Sequence, residues 1–254
     1  GKHMVHFVGA GSGAVDLITV RGARLLGQCD VVIYAGSLVN PEVLQYCKPS
    51  CQVHDSAKMT LEEVIDVIVR AESQGLTTVR LHTGDSSIYG AVHEQFAELD
   101  KRGIDYDVCP GVSAFCGAAA ALRAEYTLPE VSQTVIITRA AGRTPVPQGQ
   151  SIRELAAHGA TMVLFLSTSL TERLQADLLA GGYAPDTQAA VVYKATWPEE
   201  KIFRCTVGTL HRTVTENHLT KTSLIVVGDC LGDRVVRSLL YDPGFTTEFR
   251  EAAK

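Results

Sequence analysis

With 254 residues, 46% hydrophobic and 20% charged, the chain has material for one large domain or two moderate ones, each with its own core. A net charge of -5 excludes a general nucleic-acid surface, and no apolar run approaches the ~20 residues of a membrane span. The seven cysteines are odd in number and contain no C-x-x-C pair, so they read as reduced, cytoplasmic packing residues rather than a disulfide framework or a metal site.

In chain order, Val5-His6-Phe7-Val8 reads as a strand running into Gly9-Ala10-Gly11-Ser12-Gly13. Such a turn invites a dinucleotide reading, but the Rossmann fingerprint opens a helix directly and ends its second strand on a carboxylate. Here the helix begins only after Thr19, and the second strand, Val31-Val32-Ile33-Tyr34, ends at Ala35-Gly36-Ser37. A nicotinamide oxidoreductase is therefore disfavoured. Asn40-Pro41-Glu42 has the form of an N-cap, a first-turn proline and an acidic first turn. Thr60-Leu61-Glu62-Glu63 is a capping box, predicting a helix from Leu61 to about Ser73 with Leu61, Val64, Ile65, Ile68 and Val69 on one face and Gly75 as its stop. Between them, Cys51 to Lys58 reads as a polar run that leaves His54 and Lys58 in solvent.

The apolar run Thr77 to Leu81 leads into His82-Thr83-Gly84-Asp85-Ser86-Ser87-Ile88-Tyr89-Gly90. A strand ending in Thr-Gly-Asp puts backbone N–H groups and one carboxylate at the carboxyl edge of a sheet, where open α/β folds bind ligands. The competing reading is turn chemistry, with Asp85 or Ser86 capping a helix that starts near Ala91. A helix to Arg102 and a strand from Tyr106 to Cys109 follow. Pro110-Gly111-Val112-Ser113 then opens the small-residue helix Ala114 to Leu122, whose first N–H groups suit a carboxylate or a ribose oxygen.

Arg123 to Ser132 breaks the pattern, so the predicted organisation is an N-terminal α/β domain over 4–124, a linker over 125–132 and a C-terminal α/β domain over 133–254. In the second half, strands are expected at Thr134 to Thr138, Met162 to Leu166, Ala189 to Tyr193, Lys201 to Thr206 and Leu224 to Gly228. Helices are expected at Ile152 to Ala157 and Leu170 to Leu179. The loop carrying Arg139 and Arg143 suits ligand carboxylates, with solvated arginines as the plainer alternative. Alternation on both sides of a linker predicts two α/β domains with separate mixed sheets and a ligand cleft between them. The residues themselves identify no nucleophile, triad or metal constellation.

These motifs, in this order, resemble the tetrapyrrole (corrin and porphyrin) methyltransferases along nearly the whole chain. The family's Gly-x-Gly-Pro-Gly loop and Leu-Ile-Thr-x-Arg-Gly helix start are matched by Gly9 to Gly13 and Leu17 to Gly22. Its Gly-Asp-Pro motif is matched by Gly84-Asp85-Ser86, and its Pro-Gly-x-Ser by Pro110 to Ser113. Tyr34 to Val39, His54 to Ala57 with Met59-Thr60-Leu61, and Trp197 to Lys201 are most similar to the branch that methylates C11 of precorrin-4 or its cobalt form. Sister branches acting at another macrocycle carbon, or on the diphthamide precursor, are the nearest alternatives, followed by a nucleoside sensor without turnover. Ser12 and Ser86 replace family prolines, adding freedom and an N–H to each loop. Ala35 stands where uroporphyrinogen-methylating relatives carry a proposed acidic proton acceptor, so that role does not transfer.

The resemblance implies a class III, non-Rossmann fold and S-adenosylmethionine as methyl donor, with S-adenosylhomocysteine as product. Ser12, Gly84, Asp85, Ile88, Ser113 and Ala114 match cofactor positions of the first half, and Leu166, Ala195 and Ser223 those of the second. Asp55, Lys58, Tyr89, Arg139 and Arg143 are the substrate-side candidates, with Lys194 a further cation for acetate and propionate groups. No metal ligand and no catalytic base are assigned. The implied partner is a small tetrapyrrole, with no nucleic acid and no membrane, and the family suggests a cytoplasmic homodimer.

Overall fold

The computed structural model describes residues 4–140, 145–165, 170–219 and 222–232. The chain forms two compact units, one running through Gly117 and taking in Ala195–Pro198, the other running from Ala118 to Lys194 and onward from Glu199.

The first unit holds strands β1 (Val5–Gly9), β2 (Val31–Tyr34), β3 (Gln52–Asp55), β4 (Thr78–His82) and β5 (Tyr106–Cys109) in the order β3-β2-β4-β1-β5. Every pairing among them is parallel, so this sheet is not mixed as expected. The reason lies in the connections, each of which returns the chain to the same end of the sheet through helical segments: α1 (Val20–Gln28), a 3-10 turn (Pro41–Tyr46), α2 (Leu61–Ser73) or α3 (His93–Lys101). Parallel strands covered on both faces should be apolar throughout, and alternate residues do pack to opposite sides. Val5, Phe7, Val31 and Ile33 meet Val64, Ile65 and Ile68 of α2 and Leu99 of α3, while Val8, Val32 and Val79 meet Leu26 of α1. Burying each of the large α2 side chains contributes about 1.5–3 kcal/mol.

Local signals set the boundaries. The Thr19 side chain accepts from the Gly22 amide to start α1, Asn40 accepts from Glu42 to start the 3-10 turn, and both halves of the Thr60/Glu63 capping box are formed. Gly75, with φ of 72°, follows the end of α2. The run Cys51 to Lys58 is corrected by the structure: it contains the edge strand β3 and a 3-10 turn over Ser56–Lys58. An edge strand with exposed Gln52 and Val53 lacks the alternation by which strands are read.

The second unit's sheet is mixed, as expected. It contains β6 (Val135–Arg139), β7 (Thr161–Phe165), β8 (Gln188–Tyr193), β9 (Lys201–Thr206) and β10 (Ser223–Val227) in the order β6-β7-β10-β8-β9. Only β6 and β7 are parallel. Its core joins Met162, Leu164, Ala189, Val191, Ile225 and Val227 to α5 (Ile152–Ala156), α6 (Thr171–Gly181) and α7 (Leu210–Glu216). The sequence had given no sign of α7. The small-residue helix α4 (Ala114–Leu122) begins in the first unit and ends in the second.

Candidate active site

Because β4, β1 and β5 are adjacent and parallel, their carboxyl ends deliver three loops side by side: Gly9–Gly13, Thr83–Gly90 and Pro110–Ser113. Their contact is backbone on backbone. Gly11 and Gly84 exchange two hydrogen bonds, of 3.2 and 2.9 Å, and the Ala10 amide donates to the His82 carbonyl at 2.6 Å. A Cβ on Gly9 would lie 2.5 Å from the Gly84 oxygen and 2.7 Å from Gly111 Cα, and one on Gly111 would lie 2.2 Å from the Gly84 oxygen. Glycine at 9 and 111 is thus a condition of the three loops meeting.

The Asp85 side chain fastens this junction. Its Oδ1 accepts from the Gly111 amide at 2.8 Å, and its Oδ2 accepts from the Ser87 amide at 3.1 Å and from the Ser87 hydroxyl. Partial burial pushes the Asp85 carboxyl up, but hydrogen bonds from Ser87 and Gly111 outweigh it and hold the group below the usual carboxylate range. The alternative reading, in which Asp85 or Ser86 caps α3, is overturned: Val92 occupies the N-cap, with no side-chain cap. Ser86 is buried, Ile88 is half-buried with its amide donating to the Asp85 carbonyl at 3.2 Å, and Tyr89 is exposed with a left-handed φ of 55°.

Ser12 is buried and its hydroxyl lies 2.9 Å from that of Thr196, which also accepts from the Ala14 amide at 3.1 Å. Ala195, buried beside Thr196, therefore groups with Ser12 in the first unit, although the sequence places it in the second half. A Cβ on Gly13 would strike the Trp197 ring, and the Asn40 amide donates to the Gly13 carbonyl at 2.9 Å. Ser113 is buried and Ala114 half-buried at the start of α4, close enough to Gly84 that a Cβ there would meet both at 3.3 Å. Ser223 lies in the second unit at the start of β10, its hydroxyl buried without a hydrogen-bond partner among the described residues. Leu166 and Arg143 lie outside the described residues.

Of the substrate-side candidates, Asp55 is engaged locally. Its carboxylate accepts from the Ala57 and Gly36 amides, both at 2.9 Å, and those bonds, Ala57 first, hold it below its ordinary range. A Cβ on Gly36 would collide with it. Lys58 is exposed, Arg139 ends β6 beside a small cavity that Arg173 and Asp177 also line, and Lys194 sits 5.7 Å over the Tyr193 ring.

Three features escaped the sequence reading. Behind the central loop, Arg80 is buried, donating to Gln95 Oε1 at 3.1 Å and to the Ile33 carbonyl at 3.2 Å. Beside it, His82 Nε2 is buried without a partner among the described residues, and burial, then the Arg80 charge, pushes this imidazole down to about 3. All five positions of β4 are buried, and the apolar Val79 and Leu81 beside these side chains make them read as ordinary strand residues. The second feature is the pinning of Gly13 by Asn40, hidden behind a good N-cap signal. The third is a cluster of Cys29, Cys47 and Cys51, of which the Cys47-x3-Cys51 spacing signals the pair but not the third member.

A glycine-built junction at the carboxyl edge of a parallel sheet, paired in the same chain with a mixed sheet, defines an α/β protein whose loops meet where such folds bind small ligands. Residues 4–211 match the family of Tetrapyrrole (Corrin/Porphyrin) Methylases, and the chain belongs to it. It is 49% identical over 251 residues to the cobalt-precorrin-4 C(11)-methyltransferase of Methanocaldococcus jannaschii, covering 98% of this chain and 97% of that protein. It is 43% identical to the precorrin-4 C(11)-methyltransferase of a Sinorhizobium species, over 97% of this chain and 98% of the other. Among solved structures, a cobalt precorrin-4 methyltransferase described as a cobalamin biosynthetic enzyme superposes with a TM-score of 0.87 at 44% identity, covering 90% of this chain and 95% of that one.

Proposed function

We propose that this chain transfers a methyl group from S-adenosylmethionine to C11 of cobalt-precorrin-4 or its metal-free counterpart, in cobalamin biosynthesis. The observation that carries the reading is the near full-length identity to enzymes of that name from both groups. The site chemistry agrees with it. Glycine at 9 and 111 lets three loops meet backbone to backbone at the carboxyl edge of the sheet, which suits a ligand read by main-chain groups. When bound, the cofactor supplies a sulfonium-activated methyl group.

Ser12, Gly84, Asp85, Ile88, Ser113, Ala114 and Ala195 are the proposed holders of this cofactor in the first unit, and Ser223 and Leu166 are those proposed from the second half of the chain. Asp85 keeps the β4 and β5 loops in register, because its carboxylate holds the Gly111 amide. Ser12, joined to Thr196, fixes the β1 loop without the family's proline. With an electrophile already activated and an electron-rich macrocycle carbon, the remaining task is alignment, which can be worth several kcal/mol (up to roughly 7–11 in model reactions). Asp55 and Asp85 are weak bases, because hydrogen bonds from the Ala57 and Gly36 amides to the one, and from the Ser87 side chain and the Gly111 and Ser87 amides to the other against partial burial, hold both carboxyls below the usual range. Lys58, Tyr89, Arg139, Arg143 and Lys194 are the proposed substrate-side groups, the cations pairing with its carboxylates. The domains proposed are 4–124 and 133–254 joined by 125–132, differing from the two compact units in where Ala118–Ala124 and Ala195–Pro198 fall, and the assembly proposed is a homodimer. Anaerobic incubation with methyl-labelled S-adenosylmethionine and the reduced macrocycle tests the proposal. Label should pass to the tetrapyrrole in one equivalent, and its retention on the donor would defeat the reading.

A further inference from the structure

Away from the three-loop junction, the first unit gathers three thiols. Cys29 follows α1, Cys47 follows the 3-10 turn Pro41–Tyr46, and Cys51 precedes β3. All are free, and their sulfur atoms lie within 4.8 Å of one another, with Cys29 Sγ 3.7 Å from Cys51 Sγ. A disulfide needs about 2.05 Å between sulfurs. A tetrahedral ion with metal–sulfur bonds of about 2.3 Å spaces its sulfurs about 3.8 Å apart. The Cys29–Cys51 separation already has that value, and Cys47 needs a shift of at most ~1 Å to join it.

Burial is uneven across the three. Cys29 is fully buried, anchoring the cluster, while Cys47 and Cys51 are only half-buried and leave a path for an ion.

We propose that Cys29, Cys47 and Cys51 form a binding site for one thiophilic d10 cation of the Zn(II) class, with one coordination position left to solvent. The ion joins the end of α1, the 40–47 segment and the start of β3, and that same segment reaches the first loop: Asn40 donates to the Gly13 carbonyl, and the Tyr46 hydroxyl donates to the Val15 carbonyl at 3.1 Å. The site does not depend on the methyltransferase reading.

The test uses the intact chain, stripped of metal and reduced with a phosphine rather than a competing thiol. Titration with Cd(II) should give thiolate-to-metal charge-transfer absorption that saturates at one ion per chain and is displaced by Zn(II). Zn(II) should protect the three thiols from alkylation and raise the melting temperature. Cys47→Ser and Cys51→Ser should each weaken binding by about 100-fold, whereas Cys116→Ser, at an exposed position in α4, should bind like the parent. If the serine variants do not fold, the thiol count protected by Zn(II) in the parent decides alone. Absence of stoichiometric charge transfer, protection of other cysteines instead, or binding unchanged in Cys47→Ser and Cys51→Ser would overturn the site.

Discussion

Replacing Gly111 by alanine separates the three loops with the smallest possible change. The added Cβ would stand 2.2 Å from the Gly84 oxygen and 2.8 Å from Gly9 Cα, both backbone atoms that cannot swing aside. The β5 loop must therefore withdraw by about 1 Å, since real contacts of this kind begin near 3 Å. That movement lengthens the 2.8 Å bond from the Gly111 amide to Asp85. Overpacking costs about 1–3 kcal/mol and a weakened hydrogen bond to a charged group about 1.5–3 kcal/mol. Taking some relaxation into account, roughly 2–4 kcal/mol should appear in cofactor affinity, a loss of about 30- to 1,000-fold. Calorimetric titration with S-adenosylhomocysteine measures it, with thermal melting of the unliganded variant as a check on folding. Gly27→Ala is the matched control: it lies within α1, its added Cβ meets nothing closer than 3.5 Å, and alanine there should stabilise the helix by about 0.5–1 kcal/mol. If Gly111→Ala binds S-adenosylhomocysteine as the parent does, the argument that this junction holds the cofactor fails.

Other outcomes follow from particular side chains. His82 is pushed from an ordinary 6.5 to about 3 in the folded chain, so the unfolded chain takes up the proton first. Its contribution is complete above about pH 6.5 and is lost as pH falls toward 3, by roughly 5 kcal/mol in all. Denaturant midpoints across that range should fall more steeply for the parent than for His82→Gln, and equal slopes would contradict the assignment. Asn40→Ala removes both an N-cap bond and the donor to the Gly13 carbonyl, and should cost about 2 kcal/mol by urea unfolding. Thr60→Ala opens the capping box of α2 and should cost about 1 kcal/mol without altering cofactor affinity.

Much of this was legible wherever a local rule governed a local result. The capping box of α2, the cap before Pro41, the late start of α1 after Thr19 and the boundaries of β9 follow from short stretches, and the structure has them in place. What was not legible depends on partners distant in the chain. The parallel pairing of every strand in the first sheet is set by crossovers rather than by strand composition. Asp85 looks like a helix cap until Gly111, 26 residues on, is brought to its Oδ1. Arg80 and His82 are polar residues in a strand whose burial only the assembled sheet explains. Cys29 joins Cys47 and Cys51 because β2 and β3 are neighbours, a fact that cysteine spacing within either segment does not contain.

The most direct test of the central claim is the position of the transferred methyl. Purified protein should be incubated without oxygen with methyl-labelled S-adenosylmethionine and, in parallel, cobalt-precorrin-4 and precorrin-4, and the product located by mass analysis and carbon NMR. The account predicts a single new methyl group at C11 on at least one of the two macrocycles. A methyl group at any other carbon, or none on either macrocycle while S-adenosylhomocysteine still binds, would contradict it.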